Sequence, residues 1–208
     1  MTSPLDIEQA VAQVGLNPLR AGEADLFSRY LELLLRWNAR LNLTAVRDPH
    51  QIVTRHFVEC IQCAQALPKI QTLLDFGSGA GLPGIPISIL RPEINVVLGE
   101  SQGKKGSFLR EAVRTLGLNA QIFDGRIEAM SPERTFDAVT LRAVDRMEEA
   151  ARLGLDRVRP GGVLVLFATA GTESALKVSL PGLEWEAQFP LHSLETGILL
   201  FGRKPCST

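Results

Sequence analysis

A chain of 208 residues with 45% apolar content is large enough to bury a full core in one domain, or one domain with a modest extension, and this excludes a disordered protein. Lys and Arg number 22 against 23 Asp and Glu, so the net charge of −1 excludes a general polyanion binder and leaves nucleic-acid contact to a local basic patch. No apolar run is long enough for a membrane span, the start "MTSPLDIEQA" lacks the parts of a secretory signal, and three cysteines are an odd set for disulfides. The expectation is a cytoplasmic protein with no membrane partner.

The first part of the chain reads as helical. Ser3-Pro4-Leu5-Asp6 has the grammar of a helix start, with a hydroxyl cap, a proline in the first turn and an acid three places on. Leu26, Phe27, Tyr30, Leu31, Leu34, Trp37 and Leu41 recur at helical spacing. Asp48-Pro49-His50-Gln51 repeats the start signal before Ile52, Val53, Phe57 and Ile61. From Thr72 the pattern changes. "TLLDF", "INVVLGE", "AQIFD", "FDAVTLR" and "GVLVLFA" read as strands, with helical stretches such as "KKGSFLREAVRTLG" and "RMEEAARLGLDRV" among them. That alternation predicts crossovers and a mostly parallel α/β sheet. "LEWEAQFPL" and "ETGILLFGRK" follow one another without a helix, which predicts an antiparallel hairpin closing one edge. The change of pattern divides the chain into a helical extension, 1–69, and a second domain, 70–208.

The junction "DFGSGAGLPG" places glycines where a first strand should turn into a helix. In an open parallel sheet that turn borders the ligand crevice, and glycine lets a ligand approach the backbone closely. No Gly-Lys-Ser/Thr closes a P-loop, and Leu82 stands where a dinucleotide fingerprint needs its third glycine. Asp75-x-Gly77-x-Gly79-x-Gly81 resembles instead the first motif of S-adenosylmethionine-dependent methyltransferases. Glu100, ending the second strand, is suited to accept both ribose hydroxyls. A tight turn with close helix packing is the plainer alternative.

The fourth strand leads into Arg142, where amino-methylating enzymes of bases carry an Asn/Asp-Pro-Pro-aromatic turn. Cys60, Cys63 and Cys206 all lie away from this end, so a cysteine nucleophile for pyrimidine C5 is missing. An acceptor needing little activation remains, such as the lone pair of guanine N7, for which alignment does most of the work. A small-molecule acceptor, or a protein that binds the cofactor without catalysis, stays open on these residues.

"WNARLNLTAV", Arg55-His56, "DFGSGAGLPGIP", "ESQGKKGSFL" and "FDAVTLRAV" together resemble the bacterial RsmG (GidB) family, from about Leu26 to Lys204. The resemblance implies a Rossmann-like class I methyltransferase fold with an N-terminal helical part. It also implies S-adenosyl-L-methionine as methyl donor and guanine N7 of 16S rRNA, free or in a small-subunit precursor particle, as acceptor. By the same resemblance Gly77 and Leu82, with Gly79 of the motif, line the donor, Ile127 and Glu128 flank its adenine, and Arg142 forms the floor near donor and acceptor. The chain departs from the family pattern at Glu59-Cys60, where an Asp-Ser pair is usual, and in "LVLFATAG", which lacks a common lysine.

Lys104 and Lys105 open a helix, against its dipole, at the rim of this crevice; phosphate contact explains them better than a solvated helix end. Arg36, Arg40, Arg47, Arg55 and His56 face only Asp48 in opposition and form a candidate RNA patch, with ordinary surface charge as the alternative. Tyr30 and Trp37 fit core spacing. His56, Cys60 and Cys63 lack a fourth ligand for zinc, so no metal is expected, and Cys60 and Cys63 read as core residues. The expected state is a monomer.

Overall fold

Caps and apolar spacing agree along the N-terminal third, and helices form where both occur. In the computed structural model, which describes residues 3–192 and 196–206, helix α1 (Pro4–Gln13) begins with a reciprocal capping box: the Ser3 hydroxyl accepts the Asp6 N–H at 3.3 Å, and the Asp6 carboxylate accepts the Ser3 N–H at 2.6 Å. Met1, Thr2 and Glu195, which entered the readings of the chain's start and of its last strand, lie outside the described residues. Helix α2 (Glu23–Leu41) buries Phe27, Tyr30, Leu31, Leu34 and Asn38 on one face. Asp48 caps α3 (Pro49–Gln51) by accepting the Gln51 N–H at 2.8 Å. The chain then winds through a π-helical segment, Ile52–Phe57, into α4 (Val58–Ala66). π-turns are rare and concentrate at functional sites; this one carries Arg55 and His56.

The strands are β1 (Thr72–Phe76), β2 (Asn95–Glu100), β3 (Ala120–Asp124), β4 (Phe136–Leu141), β5 (Val158–Thr169), β6 (Glu184–Pro190) and β7 (Gly197–Arg203). Helices α5 (Gly84–Leu90), α6 (Gly103–Leu116), α7 (Met147–Arg157) and α8 (Ala170–Ser179) connect them. The sheet order is β3-β2-β1-β4-β5-β7-β6. Strands β1 to β5 pair with one another in parallel, and β7 runs antiparallel to both β5 and β6. The expected hairpin is present, with β7 inserted next to β5 so that β6 forms the edge. Helix α8 had no separate signal in the sequence, and the reason is physical: Leu176 is its one buried residue among those described, so it has almost no apolar stripe.

Strand periodicity sorts the core into two layers. Leu73, Val96, Leu98, Val163 and Val165 pack on one face with Ile7, Phe27, Tyr30, Phe57, Ile85 and Phe108. Leu74, Val97, Val139, Leu164 and Leu166 pack on the other with Ile127, Ala151 and Leu176. Across the expected boundary near residue 70, side chains of α1, α2 and α4 share the first layer with those of β1, α5 and α6. Full burial of each of Phe27, Tyr30 and Phe57 contributes about 1.5–3 kcal/mol, which fixes the helical part against the sheet and sets its π-segment beside the carboxyl end of β4. No helix among the described residues is long and apolar enough to cross a membrane.

Candidate active site

Strand β1 lies between β2 and β4, and the connections leave it in opposite directions, so a crevice opens beyond its carboxyl end. The glycine turn occupies that crevice. Gly77 has φ +71°, and a Cβ there would stand 2.8 Å from Cγ1 of Val144, so the loop after β4 lies directly against this backbone. The Gly79 N–H donates to Glu100 Oε2 at 2.9 Å, and the Gln102 N–H donates to Glu100 Oε1 at 2.8 Å. On the opposite side of the turn, the buried Tyr30 hydroxyl donates to the Ala80 carbonyl at 2.5 Å.

Asp75 begins the glycine motif, yet its carboxylate works inside the protein. It is 1% exposed, accepts the Thr140 hydroxyl at 2.9 Å on Oδ1 and the Gly84 N–H at 3.0 Å on Oδ2. It therefore ties together β1, β4 and the first turn of α5. Burial pushes its carboxyl up to about 6, against the hydrogen bonds and Arg142, which favour the charged form. Gly84 is required by this closeness, since a Cβ would come within 2.3 Å of Leu98 Cδ2 and 2.7 Å of Asp75 Oδ2.

A cleft of about 1270 Å³ is lined by Gly77, Gly79, Leu82, Glu100, Lys105 and Arg142, together with Arg55 and His56. A neighbouring hollow of about 330 Å³ is lined by Ile127 and Glu128, with Gly77 and Glu100 common to both. The fold thus gathers every residue expected at the donor around Gly77 and Glu100. Lys104 is exposed and Lys105 half-buried, so of the two only Lys105 lines the cleft. The donor set fits a nucleoside with an activated methyl. Each Glu100 oxygen accepts one backbone N–H and keeps a lone pair for a ribose hydroxyl, Gly79 leaves its backbone open to close approach, and the adjacent hollow has an apolar wall in Ile127.

The far side of the cleft is built from the π-segment. Arg142, directly after β4, donates from Nη2 to Glu59 Oε2 at 2.6 Å and to His56 Nδ1 at 2.8 Å. A guanidinium only donates, so Nδ1 of His56 accepts; the ring is neutral and carries its proton on Nε2, which lies 3.0 Å from the Thr44 hydroxyl. Burial, then Arg142 and Arg55, holds the imidazole down to about 3. His56, grouped in the sequence with the RNA-facing cations, is 8% exposed and supplies no positive charge. Arg55 is exposed at the rim. The Arg142 guanidinium also lies over the Phe167 ring, 5.6 Å from its centroid. Cys60 and Cys63 are fully buried and their thiols pushed up by that burial, as small core residues behave. Among the described residues no cluster of three His, Cys, Asp or Glu is arranged to hold a metal ion.

Sequence reasoning placed Arg142 at the floor but not the partners that hold it. Glu59 stood out only as a departure from the family pattern, and Thr44 and Phe167 lay within quoted stretches with no role assigned. Tyr30 read as packing, which holds for its ring, stacked on Phe57 at 5.1 Å; the hydroxyl's hold on the glycine turn was not legible.

Among solved structures, an O-methyltransferase from Bacillus cereus in complex with SAH matches with a TM-score of 0.63 at 20% identity, over 95% of this chain and 97% of that one. TYW2 from P. horikoshii, in complex with MeSAdo, matches with a TM-score of 0.59 at 14% identity, over 70% and 61%. Sheet order and the glycine turn define a Rossmann-like α/β fold, the fold that these class I methyltransferases share. Residues 23–179 match the family model GidB, described as rRNA small subunit methyltransferase G. Proteins named ribosomal RNA small subunit methyltransferase G are 46% identical over 160 residues in Stenotrophomonas maltophilia (strain K279a), 76% of this chain and 74% of that protein. In Xanthomonas campestris pv. campestris (strain B100) the identity is 44% over 164 residues, 78% and 77%. The chain belongs to this family.

Proposed function

We propose that this enzyme transfers the methyl group of S-adenosylmethionine to N7 of a guanine in 16S rRNA of the small ribosomal subunit. The observation that carries the chemistry is the state of the groups packed against Arg142, none of which is free to abstract a proton. His56 has both ring nitrogens engaged, the Glu59 carboxylate is paired with Arg142, and the buried Cys60 thiol is held neutral. A lone pair such as guanine N7 needs no base; it needs alignment. Family membership supports 16S rRNA as the substrate.

In this reading Gly77, Gly79 and Leu82 hold the donor, Glu100 takes its ribose hydroxyls, and Ile127 and Glu128 flank the adenine. When bound, the donor supplies an electrophilic methyl on a positively charged sulfur. Arg142 positions the acceptor, and Arg55, Lys104 and Lys105 contact RNA phosphates at the rim. The helical extension, 1–69, contributes Arg55 to that rim, and the methyltransferase domain, 70–208, contributes the two lysines and the donor site. The enzyme acts in the cytoplasm as a monomer on 16S rRNA or a small-subunit precursor particle.

The test is mass spectrometry of digested 16S rRNA from cells with and without the gene. Loss of one N7-methylguanine is expected, and an unchanged modification profile overturns the reading. Labelled donor offered with small subunits, naked rRNA or metabolite extract then identifies the acceptor; label entering only small molecules also overturns it.

A further inference from the structure

Arg142 brings a full positive charge to a cleft wall where its side chain is 12% exposed, and the 2%-exposed Glu59 carboxylate faces it at 2.6 Å. The second partner, His56, accepts a hydrogen bond and is neutral. Glu59 is therefore the countercharge that these contacts give the guanidinium. Glu59, His56 and Arg142 line the same cleft as Gly77, Gly79 and Glu100, so the balance of this pair adds to the potential that Glu100, Lys105, Asp145 and Arg146 also shape there.

This potential matters under the methyl-transfer reading above, on which the following rests. The N7 lone pair forms the N–CH3 bond as the CH3–S bond breaks, and the electron pair of the broken bond stays on sulfur. One positive charge passes from sulfur to the guanine, and no proton moves. The cleft must accept a cation before, during and after the step. A bare guanidinium at its wall opposes all three states.

We infer that Glu59 is a charge-balancing and positioning residue for methyl transfer: acting through Arg142, it cancels the guanidinium's charge so that the cleft accepts a cationic donor. Glu59 thereby differs from a residue that only stabilises the fold, because its removal discriminates between ligands by their charge.

S-adenosylmethionine and S-adenosylhomocysteine differ at sulfur by one methyl and one positive charge, and calorimetry on the full chain reads the difference. A unit charge within about 10 Å, at an effective dielectric near ~20, shifts relative affinity on the order of tenfold. Glu59→Gln is expected to move the affinity ratio toward the neutral homocysteine by about that factor, and Arg142→Gln to move it the opposite way. Glu59→Asp and the double variant Glu59→Gln/Arg142→Gln are expected to stay within about threefold of wild type. Equal losses for both ligands, with the ratio unchanged in the single variants, overturn the inference. If circular dichroism shows Glu59→Gln unfolded, Arg142→Gln and the double variant carry the same test. Wild-type protein that binds neither ligand, or methylates no 16S rRNA in a parallel assay, overturns the functional reading itself and the inference with it.

Discussion

Gly84→Ala tests whether the glycine junction is built for close packing as well as for ligand approach. Residue 84 opens α5, and an added Cβ would meet Leu98 Cδ2 at 2.3 Å, Asp75 Oδ2 at 2.7 Å and Asp75 Cβ at 3.0 Å. Neither neighbour has room to withdraw. Leu98 is fully buried in the core, and the Asp75 carboxylate is fixed by Thr140 from the other side. Overpacking of this kind costs about 1–3 kcal/mol. Displacing α5 also lengthens the Gly84 N–H bond to a buried carboxylate, worth about 1.5–3 kcal/mol. The better helix propensity of alanine returns at most ~1 kcal/mol. The expected net destabilisation is about 2–5 kcal/mol, read as a lower urea midpoint at unchanged m-value. Gly103→Ala is the control, because nothing lies within 4 Å of its added Cβ and its φ is not positive; it should be neutral or stabilising by up to ~1 kcal/mol. A Gly84→Ala protein within about 0.5 kcal/mol of wild type would refute the packing account of the junction.

Glu100→Ala should weaken S-adenosylmethionine binding by about 1–3 kcal/mol in calorimetry, since it removes the clasp on Gly79 and the ribose acceptor of the proposed function; an unaltered dissociation constant counts against that role. Lys105→Ala should leave donor affinity intact and lower the slope of log affinity for RNA against log salt by about one, and an unchanged slope makes Lys105 a solvated charge. His56 gives a pH dependence whose sign is fixed by its fall from 6.5 to about 3 on folding. The unfolded chain takes up that proton first, so the stabilisation is fully present above about pH 6.5 and is lost as pH falls toward ~3. Asp75, raised from 3.8 to about 6, works in the opposite direction, its contribution decreasing as pH rises through that interval. The wild-type profile blends the two, and His56→Gln separates them. The stability gap between wild type and variant should shrink by about 1–2 kcal/mol between pH 6.5 and about pH 5 in urea titrations. A constant gap would mean that His56 is not held neutral.

The strands and the grouping of the glycine turn with Glu100 were legible because their signals are local. "TLLDF" is the span of β1, and the turn from Gly77 to Gly84 follows it in the chain. Glu100 ends β2, and parallel pairing of β1 with β2 sets it beside that turn. The acceptor half was not legible, because its bonds join distant parts of the chain. Arg142 meets Glu59 across 83 positions, and Tyr30 meets Ala80 across 50. Spacing along a sequence carries no record of such pairings, and residue type alone does not tell a surface cation from a buried one.

Two-residue periodicity, helix caps and glycines at a strand end determined, without coordinates, an α/β sheet with a glycine turn beyond β1, since backbone sterics and burial act on neighbours in sequence. Folding decided the charges. His56 became a neutral acceptor, Asp75 an internal clasp and Glu59 the counterweight of Arg142. Protonation and pairing depend on which groups share a desolvated space, and packing of the π-segment against the end of β4 creates that space.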